Sequence, residues 1–246
     1  AFMHRVDGTA GQYYGNSNIY ARGCISLNAS GGVIGSLVAA AGDPTSVHFE
    51  NFIHWDSPHG SRQYYGGADF DHCTIGAITG TRTTDRGMTF SATLLDDITN
   101  SIITGVANNY GIVGGASRYC CLYNNSSNYS GVSDQTGDIT DTDPLAGSLE
   151  YLVRIESSAA LDGAAEDSGD IGATILYKIG TDGTLYGDTD YNTTTANSLW
   201  PFPNEDAIKT KLAAYSAGGV SGARGFCASG KQLNGTDDIT LTSYIW

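Results

Sequence analysis

The sequence predicts an all-β fold, a solenoid of short parallel strands followed by an irregular C-terminal extension with one or two short helices. Three observations predict it. A six-residue pattern recurs five times between Tyr20 and Tyr123. The composition is of β type, with charged residues at only 15%. Turns rest on 33 Gly against 5 Pro.

The segments are Tyr20-Ala-Arg-Gly-Cys-Ile25, Phe49-Glu-Asn-Phe-Ile-His54, Phe70-Asp-His-Cys-Thr-Ile75, Ile98-Thr-Asn-Ser-Ile-Ile103 and Ser117-Arg-Tyr-Cys-Cys-Leu122. The third column (Arg22, Asn51, His72, Asn100, Tyr119) is polar or amphipathic. The fourth (Gly23, Phe52, Cys73, Ser101, Cys120) is small or apolar. The sixth (Ile25, His54, Ile75, Ile103, Leu122) is apolar apart from His54. Positions four and six share a face of an alternating strand, so each segment reads as one short strand with one face inward. Such a strand buries its face only by stacking on its neighbours. The anchors lie 29, 21, 28 and 19 residues apart. This uneven spacing keeps an ordinary β-sandwich as the alternative.

The flanking stretches follow from this frame. Ala1 to Asn18 is Gly- and Tyr-rich and reads as a leading strand or the end of an earlier turn. Gly31 to Gly42 reads as strand-turn-strand. Trp55 to Gly67 reads as a loop and is chemically the most varied stretch, with Trp55, His59, Arg62, Tyr64 and Tyr65. Aromatic faces with polar tips suit carbohydrate, so Trp55, Tyr64 and Tyr65 are the carbohydrate-contact candidates. A structured surface loop is the plain alternative. Arg82, Asp85 and Arg86 read as a local salt bridge. Asp96-Asp97 offers paired carboxylates, but neighbours on a strand face opposite ways. Asp134, Asp138, Asp141 and Asp143 follow. Asp141 and Asp143 have the Asp-x-Asp spacing of a Ca2+ loop without the rest of an EF-hand, so Ca2+ is the one cofactor considered. Leu149 to Ile155 and Asp170 to Tyr177 read as strands. A helix is expected over 204–216, capped by Asn204, with Glu205 and Asp206 in its first turn, Ile208, Leu212 and Tyr215 at helical spacing, and Gly218-Gly219 ending it. Leu241 to Trp246 reads as the start of a last helix. The expected division is 1–148 for the stacked strands and 149–246 for the terminal strands and extension.

The net charge of −14 argues against a nucleic-acid partner. The longest apolar run, Gly32 to Gly42, is too short to span a membrane. The chain opens on Ala1 without a signal-like segment, which reads as a processed or partial product. Sequons begin at Asn28, Asn124, Asn125, Asn128, Asn192 and Asn234 and are glycosylation candidates. The cysteines are Cys24, Cys73, Cys120, Cys121 and Cys227, in no metal-binding spacing. Cys73 and Cys120 fall two repeats apart in one column, about 10 Å and too far for a disulfide. Buried thiols are expected, with Cys227 alone placed to pair elsewhere.

The repeated segments, with Asp143-Pro-Leu145 and Asp170-Ile-Gly-Ala173, resemble secreted right-handed parallel β-helix repeat proteins. The tail Leu199-Trp-Pro-Phe-Pro-Asn-Glu-Asp206, with Arg224-Gly-Phe-Cys227 and Leu241-Thr-Ser-Tyr-Ile-Trp246, looks like the C-terminal extension of a bacterial branch of that family. The resemblance implies a right-handed helix of strands and an extracellular or cell-surface location. It also implies a choice among adhesins, surface fibres, polysaccharide lyases and glycosidases. The polygalacturonase-like hydrolases of that family carry Asn-Thr-Asp, a paired Asp, Gly-His-Gly and Arg-Ile-Lys in order. Only the pair Asp96-Asp97 is present here, and His59-Gly60 precedes it. The Arg-x-Pro-x-x-Arg of pectate-lyase-like enzymes is missing.

The expected function is therefore a non-catalytic extracellular structural protein, a surface, matrix or filament subunit that self-associates through its ends or termini. The alternative is a carbohydrate-active enzyme, lyase or hydrolase, with His59, Arg62 and Asp96 as catalytic candidates and His54 nearby. Glycan binding without turnover would use the same aromatics.

Overall fold

The computed structural model describes residues 18–28, 46–62, 67–80, 87–89, 97–185, 187–232 and 235–246. It is mostly β, and its principal sheets are parallel. Two units divide the chain, Ala1–Thr174 and Ile175–Trp246.

In the first unit each repeat contributes its strands in the same sequence order. The first has β1 (Asn18–Arg22) and β2 (Ile25–Leu27). The second has β3 (Ser46–Glu50), β4 (Ile53–Ser57) and β5 (Ser61–Arg62). The third has β6 (Gly67–Asp71), β7 (Thr74–Ile78) and β8 (Met88–Thr89). The fourth has β9 (Asp97–Thr99), β10 (Ile102–Val106) and β11 (Tyr110–Val113). The fifth has β12 (Ala116–Arg118), β13 (Cys121–Tyr123) and β14 (Ser127–Ser130). They assemble as β1-β3-β6-β9-β12, β2-β4-β7-β10-β13 and β5-β8-β11-β14.

Each recurring segment turns out to be a corner between two strands, not one strand. The first sheet aligns Ala21, Phe49, Phe70, Ile98 and Ser117. The second aligns Ile25, Ile53, Thr74, Ile102 and Cys121. Between them sit Gly23, Asn51, His72, Asn100 and Tyr119, all left-handed, with φ of 64°, 50°, 49°, 51° and 51°. Left-handed backbone is uncommon outside Gly and favours Asn among the rest. The corner keeps its backbone paired. The amides of Gly23, Asn51 and Asn100 each donate at 3.1 Å to a carbonyl of the next repeat, Glu50, Asp71 and Arg118. The left-handed residue breaks the alternation, so the first, fourth and sixth positions all turn inward. There Ala21, Phe49, Phe52, Phe70, Cys73, Ile75, Ile98, Ile103, Cys120 and Leu122 form one core.

This register corrects the first segment by one residue. Tyr20 pairs with His48, and Ala21 with Phe49. Tyr20 therefore points outward, 64% exposed, while the smaller Ala21 fills the inward column at 5%. A second left-handed column, Asn28, Asp56, Ala77, Gly105 and Asn124, falls in or just after the ends of the second sheet's strands.

The outer face of the second sheet is covered by residues 149–174. Ile102 and Cys121 pack there against Leu149, Ile155, Leu161, Ala165 and Ile171. The expected strands at Leu149 to Ile155 and Asp170 to Tyr177 are absent as strands, except that Tyr177 opens the strand Tyr177–Ile179. Their apolar residues are buried as a strand's would be, but two of their amides bond across the repeats to side chains. Ala173 N donates to Thr74 Oγ1 at 2.9 Å and Thr174 N to Asn51 Oδ1 at 3.0 Å. Residues 133–139 bond onto the last repeat, with Ser117 N and Tyr119 N donating to the carbonyls of Asp134 and Thr136 at 2.9 Å. Asp138 there accepts from Cys120 N at 2.8 Å and from the Tyr129 hydroxyl at 2.7 Å.

The second unit contains an antiparallel pair, β15 (Tyr177–Ile179) and β16 (Thr194–Ser198), then α1 (Glu205–Ala213), the hairpin β17 (Ser216–Ala217) and β18 (Val220–Ser221), and α2 (Leu241–Ile245). Trp200, Phe226, Cys227 and Ile245 are its buried apolar centre, and the Trp200 indole donates to the Ile175 carbonyl at 2.9 Å. Two details of the expected helix change. Asn204 is left-handed and makes no side-chain cap bond. The helix ends at Ala213, and Gly218-Gly219, both at positive φ, instead form the turn of the β17–β18 hairpin. The second helix is closed by Thr240 and Ser243 in a capping box.

Candidate functional site

The stretch Trp55 to Gly67, expected as a loop, is partly strand: β4 runs through Ser57 and β5 holds Ser61–Arg62. Trp55 lies on β4 against Gly76. A Cβ on Gly76 would stand 2.2 Å from the Trp55 ring, so only glycine admits it. The ring also packs on the cluster around Ile102. Trp55 is thus partly buried by packing.

His54 points inward from β4 and is 1% exposed. Its Nε2 lies 2.7 Å from the carbonyl oxygen of His59. Nδ1 is buried without a hydrogen-bond partner. Burial pushes the imidazole below its ordinary value, with the His59 carbonyl opposing. The structure thus joins His54 and His59 through the His59 backbone, not as two side chains facing one substrate. Tyr64, Tyr65, Arg82, Asp85, Arg86, Asp96 and Asn234 lie outside the described residues, as do Gly31 to Gly42 and the Arg62 side chain. Asp97, the other half of the paired carboxylates, holds Arg118 at 3.0 Å.

Among the described residues, a dense set of titratable groups lies elsewhere, on the outer face of the first sheet. One column runs Tyr20, His48, Asp69, Asp97, and the next Arg22, Glu50, Asp71, Thr99, Arg118. The Tyr20 and His48 rings stack with centroids 4.7 Å apart. His48 Nδ1 meets Asp69 at 2.9 Å, and Arg22 Nε meets Glu50 at 2.9 Å. Thr99 and Asn100 donate to Asp71 Oδ1 at 2.8 and 2.9 Å, and His72 Nδ1 lies 3.1 Å from its other oxygen. Burial raises the Asp69 carboxyl and Asp97 adds to it, with His48 opposing. For Asp71 the balance reverses. Burial alone would raise it, but the bonds from His72, Thr99 and Asn100 hold it below the carboxylate range. The chemistry of this face is mutual compensation: most contacts join a residue of one repeat to one of the next.

Sequence reasoning passed over His48, Asp69, Asp71 and Arg118. The signal was a titratable residue two positions apart at the start of successive segments (His48 and Glu50, Asp69 and Asp71), the alternation of an outward strand face.

The acidic stretch makes turns. Asp143 Oδ1 accepts from Leu145 N at 2.9 Å, and Asp141 Oδ1 from the Thr142 hydroxyl at 3.3 Å. Among the described residues no group of three or more His, Cys, Asp or Glu is placed to hold a metal. No helix among them is long and apolar enough to cross a membrane. Of the sequon asparagines, Asn28 and Asn124 occupy left-handed corners. Asn125 accepts from Val106 N at 3.1 Å and donates to the Ile103 carbonyl at 3.0 Å and to Asn128 Oδ1 at 3.1 Å. Asn192 is exposed.

All five cysteines are free thiols, and Cys227 too is buried and unpaired. Burial pushes Cys73 and Cys121 up to about 12 and Cys120 up as well. A maleimide added to the native protein should label the half-buried Cys24 first and leave Cys73 and Cys120 unmodified until denaturant is added, read by peptide mass spectrometry. Prompt labelling of Cys73 would mean that the inward column is open to solvent.

The chain matches no protein-family model, no curated protein and no solved structure.

Proposed function

We propose that the first unit is a right-handed parallel β-helix, and that the protein is a non-catalytic extracellular structural subunit that self-associates in a surface, matrix or filament assembly. The ordered parallel pairing of the repeats supports the helix. Right-handed crossovers between parallel strands are the rule in proteins, which supports its hand.

The observation that carries the functional reading is the paired face of the first sheet. Arg22–Glu50, His48–Asp69 and Asp97–Arg118 each tie neighbouring repeats together. A hydrolase or lyase needs an acid or base held ready for substrate. Here these side chains satisfy one another, which suits a subunit whose work is mechanical. At the last repeat, residues 133–139 cover edges of the first two sheets. Among the described residues β14 is an outermost strand of the third. An uncovered edge strand is a place where a neighbouring chain can add its backbone.

The test is light scattering and negative-stain electron microscopy over a range of concentrations, beside a polysaccharide panel. Regular oligomers or filaments that grow with concentration, and an unchanged panel, are expected. Dispersed single particles that release product from a glycan would replace this reading with a carbohydrate-active enzyme.

A further inference from the structure

Residues 165–174 cross the repeats at the first corner column, and the corner side chains hold them there. Glu166 N donates to Asn100 Oδ1 at 2.8 Å, and Gly172 N to the Asn100 carbonyl at 2.8 Å. Thr174 N donates to Asn51 Oδ1 at 3.0 Å. Between these two asparagines the corner residue is His72. Its Nδ1 lies 3.1 Å from Asp71 Oδ2, and its Nε2 lies 3.6 Å from Asp167 Oδ1 on the crossing segment. Asp167 also shapes the tip of that segment by accepting from Gly169 N at 2.9 Å. Beneath the segment, Ile171 and Leu161 cover Ile102 and Cys121.

We propose that Asp71, His72 and Asp167 form a proton-controlled latch that holds residues 165–174 closed over the outer face of the second sheet.

A neutral imidazole has one N–H and can donate to one carboxylate at a time. The imidazolium carries a proton on both nitrogens: it donates to Asp71 and attracts Asp167 by charge across 3.6 Å. The charged groups facing the ring are acidic from every side. Asp71 precedes it on β6, Glu50 comes from the neighbouring repeat, and Asp167 and Asp170 come from the crossing segment. Arg22 is paired with Glu50. Burial alone would push the imidazole down. The hydrogen bond and charge of Asp71, aided by Asp167 and Glu50, outweigh it and hold His72 above its ordinary value. The sign follows. The latch is fully engaged below the ordinary histidine range and is lost as the pH rises through the higher value of the folded protein. The asparagine and threonine bonds remain, so loss of the latch raises the frequency of local opening and does not unfold the unit.

Hydrogen exchange of peptides covering 161–174, corrected for the intrinsic pH dependence of exchange, tests this on the full chain from pH 5.5 to 8.5. In the natural protein, opening should become several-fold more frequent as the pH rises. In His72→Asn it should stay flat, because asparagine already occupies this left-handed position in the repeats on either side. Asp167→Asn removes the charge but keeps an Oδ1 that can accept from Gly169 N, and it should also flatten the profile. Corrected exchange that does not change with pH in the natural protein, or a rise that persists undiminished in both variants, overturns the proposal.

Discussion

Phe70→Ala should lower the stability of the first unit by about 3–5 kcal/mol, the usual loss when a buried aromatic is truncated in a packed core. Phe70 is 2% exposed and stacks on Phe49 with centroids 4.7 Å apart. Ile98 is its register partner on the other side. The ring thus fills the space between consecutive repeats, and neither neighbour can collapse into its place without leaving its own strand register. With a urea dependence of about 1–3 kcal/mol per molar, the midpoint should fall by roughly 1–5 M. Tyr20→Ala is the control, because the register puts Tyr20 on the outer face. It should change stability by no more than about 0.5 kcal/mol. Equal losses in the two variants would place Tyr20 in the inward column and return the register to the one that the aromatic pattern suggests.

That one-residue difference shows what the sequence carries and what it hides. Four of the five segments align correctly from sequence, because Phe49, Phe70 and Ile98 repeat one kind of side chain at the same place. Tyr20 misleads because it is aromatic and stands beside the small Ala21, and inward volume is set by neighbouring repeats that local reading does not see. The corner was disguised in a similar way. Asn51, His72 and Asn100 are of types that favour left-handed backbone, but Tyr119 occupies the same conformation without being one. A period-two reading assumes an unbroken strand, and one left-handed residue cancels it. Residues 149–155 and 170–177 have the apolar spacing of strands, yet several of their amides find side chains and turn carbonyls instead of a ladder. The outward ion pairs join residues 21 to 28 positions apart (Arg22 to Glu50, His48 to Asp69), beyond any local motif. The buried thiols were legible, since a small apolar column suits cysteine whatever the corner geometry. The candidate site was the least legible part. Trp55 looks like a free aromatic until Gly76 is placed under it.

Asn100 provides the second large effect, because three roles meet in one buried residue. Its backbone is left-handed at φ 51°, its Nδ2 donates to Asp71 at 2.9 Å, and its Oδ1 accepts from Glu166 N at 2.8 Å. Asn100→Gly keeps the backbone freedom and removes both side-chain bonds. It leaves the Glu166 amide without its acceptor and Asp71 with one donor fewer. A buried polar group left unpaired costs about 1–3 kcal/mol, so a total loss of about 2 kcal/mol is expected. Asn100→Ala removes the same bonds and forces a Cβ into the left-handed region, which should add about 1 kcal/mol. Urea unfolding of both variants separates the contributions: the glycine variant reports the hydrogen bonds, and the difference between the two reports the corner. Hydrogen exchange adds a local reading, since the Glu166 amide should lose protection in both variants while the core of Ile75 and Ile103 keeps its own. Identical stabilities for the two variants would remove the strained corner from the account. Unchanged protection at Glu166 would mean that the crossing segment is held by its apolar contacts alone.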